Sequence, residues 1–124
     1  MTLNEYQEKA MSTCMDSCNN FSYMMLNLVG EVGELSSKVA KMIRKGKFDI
    51  GGESNLRVDT KAMNGDDIET IGKELKLEAG DIAWQLAGLC KVLGWSLEDV
   101  CQANLYKLAS RKARGVIDGN GDER

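Results

Sequence analysis

The sequence contains no histidine, no proline and no excess of basic residues. Without histidine, the chain cannot form the Glu-x-x-His pattern of helical di-iron proteins. Without proline, nothing forces a break inside a helix. No apolar run reaches the roughly 18 to 20 residues of a membrane span, and a net charge of −3 offers no basic field for a nucleic-acid backbone. We therefore expect neither a membrane nor a nucleic-acid partner.

The remaining composition indicates one soluble globular domain spanning residues 1–124. The chain is 43% hydrophobic and 28% charged, and its length suits a single core. Its N-terminus, MTLNEYQEKA, lacks the apolar core of a signal peptide, so a cytoplasmic location is expected. Four cysteines, Cys14, Cys18, Cys90 and Cys101, are expected to be reduced and at least half-buried. Cys14 and Cys18 would share a helix face, but this pair alone is weak evidence for zinc.

Helical periodicity and capping residues predict an all-α protein with four helices. The first helix is expected to run from residue 2 into the cysteine pair, and the second from residue 20 or 22 to 44–46. The third is expected from residue 66 or 67 to 94, and the fourth from 96 to about 114. Asp99 is expected to form a capping box with Ser96. Residues 47–65 lack clear periodicity, which is typical of a functional or mobile loop, although a short hairpin at 55–61 is conceivable. Strands alternating with helices are absent, which excludes a Rossmann-like sheet.

Two carboxylate pairs stand out: Glu31 and Glu34 in GEVGEL, and Glu78 and Asp81 in LEAGDIAW. A three-residue separation places both members of a pair on one helix face. Each pair lies beside an apolar stripe, rotated from it by roughly 60 to 100° around the helix axis. The stripes are Leu28, Val32, Leu35, Val39 and Met42 on the second helix, and Ile68, Ile71, Leu75, Ile82, Leu86 and Leu89 on the third.

If the two stripes pack antiparallel, the four carboxylates can converge on one groove. Their mutual repulsion would then favour a divalent cation, and ligands with only hard oxygen atoms favour magnesium, manganese or calcium. The alternative is four solvated surface acids with lysine neighbours, such as a pair between Glu34 and Lys38 on the helix surface. Spacing alone does not decide between these interpretations.

A polar stripe on the fourth helix could supply positive charge to such a groove. Its members follow one another at steps of three and four residues: Asn104, Lys107, Arg111 and Arg114. Val100, Leu105 and Leu108 on the opposite side are expected to face the core. Cations opposite a metal groove suit a polyphosphate substrate. The alternative is an ordinary basic helix end favoured by the helix dipole.

These motifs resemble the MazG-like nucleotide pyrophosphohydrolases of the all-α NTP pyrophosphatase superfamily. The resemblance covers most of the chain and is strongest at 26–45 and 74–124. It rests on ExxE, ExxD, the NLYKL helix and the GNGDER ending, in that order. The segment between the two acidic motifs, 45–73, is longer than is usual in the family, which leaves substrate choice open.

The resemblance implies a four-helix MazG-like bundle completed by association into a homodimer or homotetramer. It also implies Mg²⁺-dependent cleavage of a nucleoside triphosphate to the monophosphate and pyrophosphate, with Mn²⁺ as a substitute. Glu31, Glu34, Glu78 and Asp81 would be the catalytic metal ligands. The substrate-binding candidates are Lys38, Asn104, Lys107, Arg111, Arg114 and Arg124. A non-catalytic nucleotide-binding protein on this fold and a helical interaction module are the rival interpretations.

Two further expectations concern Trp84 and the C-terminal arm, residues 115–124. Trp84 lies off the main stripe of its helix and is expected at a subunit interface rather than against a base. The arm is rich in glycine and ends in Asp122 and Arg124. We expect it to fold back toward an active-site groove, with Arg124 contacting substrate or an acidic partner; a frayed terminus is the alternative.

Overall fold

The computed structural model describes residues 1–50, 56–58 and 65–124, with side chains for 1–48 and 69–124. The helices are α1 (Leu3–Met11), α2 (Phe21–Arg44), α3 (Gly65–Val92) and α4 (Leu97–Ala113), with a short 3-10 turn at Asp16–Cys18. Two short strands, β1 (Phe48–Ile50) and β2 (Leu56–Val58), pair antiparallel with Phe48 opposite Val58. The all-α architecture is thus confirmed, with one small hairpin added.

Local chemistry accounts for most of the helix ends. Asn20 caps α2 by accepting a hydrogen bond from the Tyr23 N–H at 2.8 Å, and the Ser96 hydroxyl accepts one from the Asp99 N–H at 3.3 Å. Gly46 and Gly94 follow α2 and α3 with φ of 70° and 74°, a left-handed conformation that glycine adopts without steric cost. The predicted bounds of α2, α3 and α4 therefore agree with the structure to within one or two residues.

The first helix is shorter than predicted. α1 ends at Met11, and Cys14 and Cys18 lie in the turns that follow, not on one helix face. Ser12 and Thr13 donate side-chain hydrogen bonds to the Lys9 and Ala10 carbonyls, both at 2.6 Å, and so occupy the acceptors near the helix end. All four cysteines are free thiols; Cys90 is buried and the other three are half-buried, as expected.

The strand pairing differs in position from the suggested hairpin at 55–61. The first strand begins at Phe48, whose buried side chain directly follows the end of α2. The predicted loop at 47–65 is therefore partly ordered as β1 and β2. Residues 51–55 and 59–64 lie outside the described part, as does the side chain of Ile68 in the predicted stripe.

The α2–α3 pair forms the frame of the molecule, and the two helices run antiparallel. Met24 near the start of α2 lies against Gly88 near the end of α3, while Met42 lies beside Ile71. A Cβ at Gly88 would collide with the Met24 sulfur, so this glycine permits close approach of the helices. Most of the predicted stripes face this contact, but Val32 and Leu86 are exposed.

The core lies where α1 and α4 close over one end of this pair. Its buried residues are Met11, Met24, Ala87, Cys90 and Leu97. Gln7 on α1, 9% exposed, joins three elements at this point. Its amide nitrogen donates to the Ala87 carbonyl at 3.2 Å and the Trp95 carbonyl at 3.1 Å, and its oxygen accepts from the Leu97 N–H at 3.0 Å. Gln7 thereby satisfies the first N–H of α4, which no helix can satisfy internally.

That Trp84 lies at a subunit interface stays a prediction, but its indole N–H has partners within the chain. That group donates to the Ala10 carbonyl and the Thr13 hydroxyl, both at 3.0 Å, and the ring packs partly buried against the core. The side of α3 that carries Trp84 is covered by α1 of the same chain. The polar edge of Trp84 is thus satisfied within the chain, while its ring remains partly exposed.

The predicted core face of α4 is only partly correct. Val100 and Cys101 pack against the core, whereas Leu105 and Leu108 are 58% and 42% exposed. The reason is geometric: only the N-terminal half of α4 lies over α1 and α3. No helix in the described residues is long and apolar enough to cross a bilayer.

Replacing Gln7 with Leu should destabilise the fold by about 2 to 3 kcal/mol, because buried polar partners on α3 and α4 lose a hydrogen bond. Chemical denaturation measures this free energy of unfolding. The matched control is Gln102→Leu on the exposed side of α4, which should change it by less than about 0.5 kcal/mol. Equal effects of the two substitutions would contradict the linking role of Gln7.

Candidate active site

Three carboxylates from the two long helices meet halfway along the α2–α3 pair. One oxygen each from Glu31, Glu78 and Asp81 lies within 4.8 Å of the others. Glu78 is buried, Glu31 is half-buried and Asp81 is exposed, so the group forms a partly open acidic cluster. The antiparallel contact brings ExxE of one helix opposite ExxD of the other, which spacing along one helix cannot do alone.

Glu34 lies beside this acidic cluster but outside the 4.8 Å group. It is exposed, and its charge still acts on Glu31. Burial raises the pKa of Glu31, and repulsion from Glu34, Asp81 and Glu78 raises it further. The Asn27 amide opposes this by donating a hydrogen bond to Glu31 at 3.1 Å. Asn27 was missed in the sequence, although its position four residues before Glu31 places it on the same helix face.

Lys38 crosses to the opposite helix instead of pairing with Glu34. Its ammonium lies 2.6 Å from Glu78 Oε1, and this contact raises the pKa of Lys38. The second oxygen, Glu78 Oε2, is buried and has no hydrogen-bond partner among the described residues. A buried carboxylate oxygen without a partner is costly unless a cation or donor approaches it.

A second buried oxygen without a partner among the described residues lies about two helical turns beyond Glu78 on α3. Gln85 is 3% exposed, and its Oε1 has no partner within the described residues. Tyr6 on α1 is half-buried near Asp81, and burial followed by the charge of Asp81 raises the pKa of its hydroxyl. Neither residue was singled out in the sequence; the four-residue step from Asp81 to Gln85 is the signal that was available.

The cationic stripe on α4 is occupied by the C-terminal arm. Lys107 Nζ and Arg111 Nη2 contact Asp122 Oδ1 at 3.1 and 3.0 Å, and Arg114 donates to the Arg124 carbonyl at 2.6 Å. None of the hydrogen bonds and ion pairs found in the described residues joins this stripe to the acidic cluster. Asn104 is exposed on α4.

The arm folds back onto α4, and Arg124 has no acidic partner among the described residues; that the arm reaches an active-site groove stays a prediction. The Arg124 guanidinium donates to backbone carbonyls, those of Val116 at 3.1 Å and of Gly121. Its side chain lies across Gly119, where a Cβ would collide with it. The glycine spacing and the final arginine of the ending therefore belong to one compact turn.

Comparison with known proteins agrees with this arrangement. Residues 19–116 match the family model of the MazG nucleotide pyrophosphohydrolase domain. The chain belongs to this family. It is also 37% identical, over 131 aligned positions covering all of both chains, to the Gene 37 protein of Mycobacterium phage L5. No solved structure matches the chain.

A divalent cation, on which MazG proteins generally depend, suits the residues present. The ligand set of the acidic cluster consists only of carboxylate oxygens, which hard cations prefer. The unpartnered Glu78 Oε2 adds a buried acceptor, and burial, followed by repulsion from the neighbouring carboxylates, raises the pKa of Glu31.

Replacing Glu31 with Gln should stabilise the protein in a chelator by up to about 1 kcal/mol, since one repelling charge disappears. With millimolar Mn²⁺ or Mg²⁺, the order should reverse, because the wild type gains binding energy that the variant lacks. Melting temperatures with and without metal measure both effects. Glu69→Gln, an exposed substitution on α3, is the control. Equal metal-induced stabilisation of wild type and Glu31→Gln would contradict the assignment.

Proposed function

We propose that this protein hydrolyses nucleoside triphosphates to nucleoside monophosphates and pyrophosphate, with Mg²⁺ as its cofactor and Mn²⁺ as a substitute. The observation that carries the proposal is the convergence of Glu31, Glu78 and Asp81 within 4.8 Å between α2 and α3. Membership of the MazG family supports it independently. A purely structural helical module has no need to bring three carboxylates this close together, because their mutual repulsion destabilises the helix pair.

In this proposal Glu31, Glu34, Glu78 and Asp81 hold the metal. A bound divalent cation would neutralise the triphosphate and make a water more acidic for attack at the α-phosphorus. Glu34 is suited to orient that water or accept its proton, because it is exposed beside the acidic cluster and outside its closest group. Lys38 holds Glu78 by an ion pair and remains partly exposed, so it can also approach a phosphate.

The remaining candidate substrate contacts lie along α4 and the C-terminal arm. Lys107, Arg111 and Arg114 supply positive charge, Asn104 supplies an exposed amide, and Arg124 fastens the arm. Phosphate oxygens favour guanidinium and ammonium groups arranged in this way. In the described chain Lys107, Arg111 and Arg114 contact the arm, so a substrate that engages them must replace these contacts.

The test of activity is a panel of canonical and modified nucleotides with Mg²⁺, with separate detection of monophosphate, diphosphate and pyrophosphate. We expect monophosphate and pyrophosphate in equal amounts. Asp81→Ala and Glu34→Ala should each lower turnover at least about a hundredfold while the helical content stays unchanged. Glu69→Gln should retain full activity. Nucleotide binding without hydrolysis would instead indicate a regulatory protein on the same fold.

We further propose that the chain assembles into a homodimer or homotetramer. A row of apolar side chains on α2 has no cover in the described chain: Phe21, Met25, Val29 and Val32. Leu77 on α3 and Tyr106 on α4 are also more than 60% exposed, at 63% and 70%. Apolar surface of this extent is typical of subunit interfaces.

Light scattering at micromolar concentration should therefore report a dimer or larger species. Val29→Lys should shift the population toward monomers, because a lysine in a packed apolar interface leaves its charge without water. Thr70→Lys, an exposed position on α3, is the control and should leave the mass unchanged. A monomeric wild type would disprove the proposed assembly.

A further inference from the structure

Arg111 is a buried charge whose hydrogen bonds are incomplete. It is 5% exposed, although it lies near the end of a helix whose other polar residues face solvent. Its Nη2 donates to Asp122 Oδ1 at 3.0 Å and to the Gly121 carbonyl at 3.3 Å. Its Nε is buried and has no partner among the described residues. A guanidinium normally satisfies such donors when water is excluded.

The unpaired Nε and the occupied Nη2 belong to the same edge of the guanidinium. This edge binds an oxyanion best when two oxygens accept two parallel N–H bonds. Asp122 does not bind in that way, since its Oδ1 alone accepts from both Lys107 and Arg111. The Asp122 carboxylate therefore leaves the Nε donor of Arg111 without a hydrogen bond.

A phosphate group matches the same donors more completely. Its tetrahedral oxygens can accept from Nε and Nη2 of Arg111 and from the Lys107 ammonium at once. Asp122 itself is easily displaced, because its side chain is 83% exposed and is held by charge rather than by packing. Lys107 and then Arg111 keep the pKa of Asp122 below its usual range, so the carboxylate is ionised at neutral pH and competes as an anion.

We propose that Lys107 and Arg111 form a phosphate-binding site that Asp122 closes when no phosphate is bound, so that the arm acts as an internal competitor. This inference rests on the proposed function to the extent that the physiological anion is the triphosphate or the pyrophosphate product. It assigns Asp122 a regulatory role: the phosphate must displace its carboxylate. A purely positioning role would instead make Asp122 necessary for anion binding.

The arm is built so that Asp122 can leave while the turn persists. Arg124 fastens the arm from within through the Val116 and Gly121 carbonyls, and Arg114 holds the Arg124 carbonyl. None of these three contacts involves the Asp122 carboxylate. We therefore expect rotation of the exposed Asp122 side chain, or a small shift at Gly121 with its φ of 77°, to open the site.

The experiment measures the dissociation constant of pyrophosphate by calorimetry in a chelator, so that neither metal nor turnover contributes. Asp122→Asn should bind pyrophosphate about tenfold more tightly than wild type, because the competing charge is gone. Asp118→Asn is the matched control, since it removes the same charge from an exposed position in the same arm. Arg111→Lys should weaken binding in both the wild-type and the Asp122→Asn background.

Three results would count against Asp122 as an internal competitor. Unchanged or weaker binding by Asp122→Asn, equal tightening by Asp118→Asn, or absence of pyrophosphate binding by all variants would overturn the proposal. Inorganic phosphate and a non-hydrolysable triphosphate, titrated in parallel, distinguish which phosphate species the site prefers. Failure of hydrolysis in the nucleotide panel, with the predicted tightening intact, would reject the proposed activity and leave this site in place.

Discussion

The contact between α2 and α3 brings negative charge together near the middle of the two longest helices. Met24 against Gly88 and Met42 beside Ile71 hold the two helices antiparallel, and this register leaves Glu31, Glu78 and Asp81 facing one another. Apolar burial along the pair must offset their repulsion, since burial and like charges raise the pKa of Glu31. The fold thus supports a cluster that is electrostatically unfavourable without a cation, an arrangement common at functional sites.

The rest of the structure supports this pair at its ends. Two side chains fasten α1 to one end of the pair. Gln7 of α1 donates to the Ala87 carbonyl of α3, and Trp84 of α3 donates to the Ala10 carbonyl of α1. α4 is held there only by its first half, and its second half relies on the C-terminal arm for polar partners. The two charged regions are therefore separate: the acidic cluster lies on two packed helices, whereas the cationic stripe lies on the second half of α4, beneath the C-terminal arm.

This separation explains how opposite charges can coexist in one small domain without neutralising each other. Lys38 is the exception, since it reaches Glu78 across the helix pair. Lys107 and Arg111 are instead balanced by Asp122, which belongs to the same local unit. In the proposed reaction the triphosphate would bridge the two regions. Its phosphates would pair with the cationic side chains that Asp122 neutralises in the free protein.

Local rules in the sequence determined the helix ends and the acidic pairs. Asn20, Ser96 and Gly94 mark ends because capping depends on neighbouring residues, and the three-residue spacing of each acidic pair fixes its place on one helix. Only the tertiary structure decided which groups meet. Glu34 stays outside the closest group, Trp84 donates to the Ala10 carbonyl of α1, and Asp122 covers Arg111. These contacts depend on the rotation and register of the helices relative to each other. Packing between distant segments of the chain sets that rotation and register, and the periodicity within one helix does not encode it.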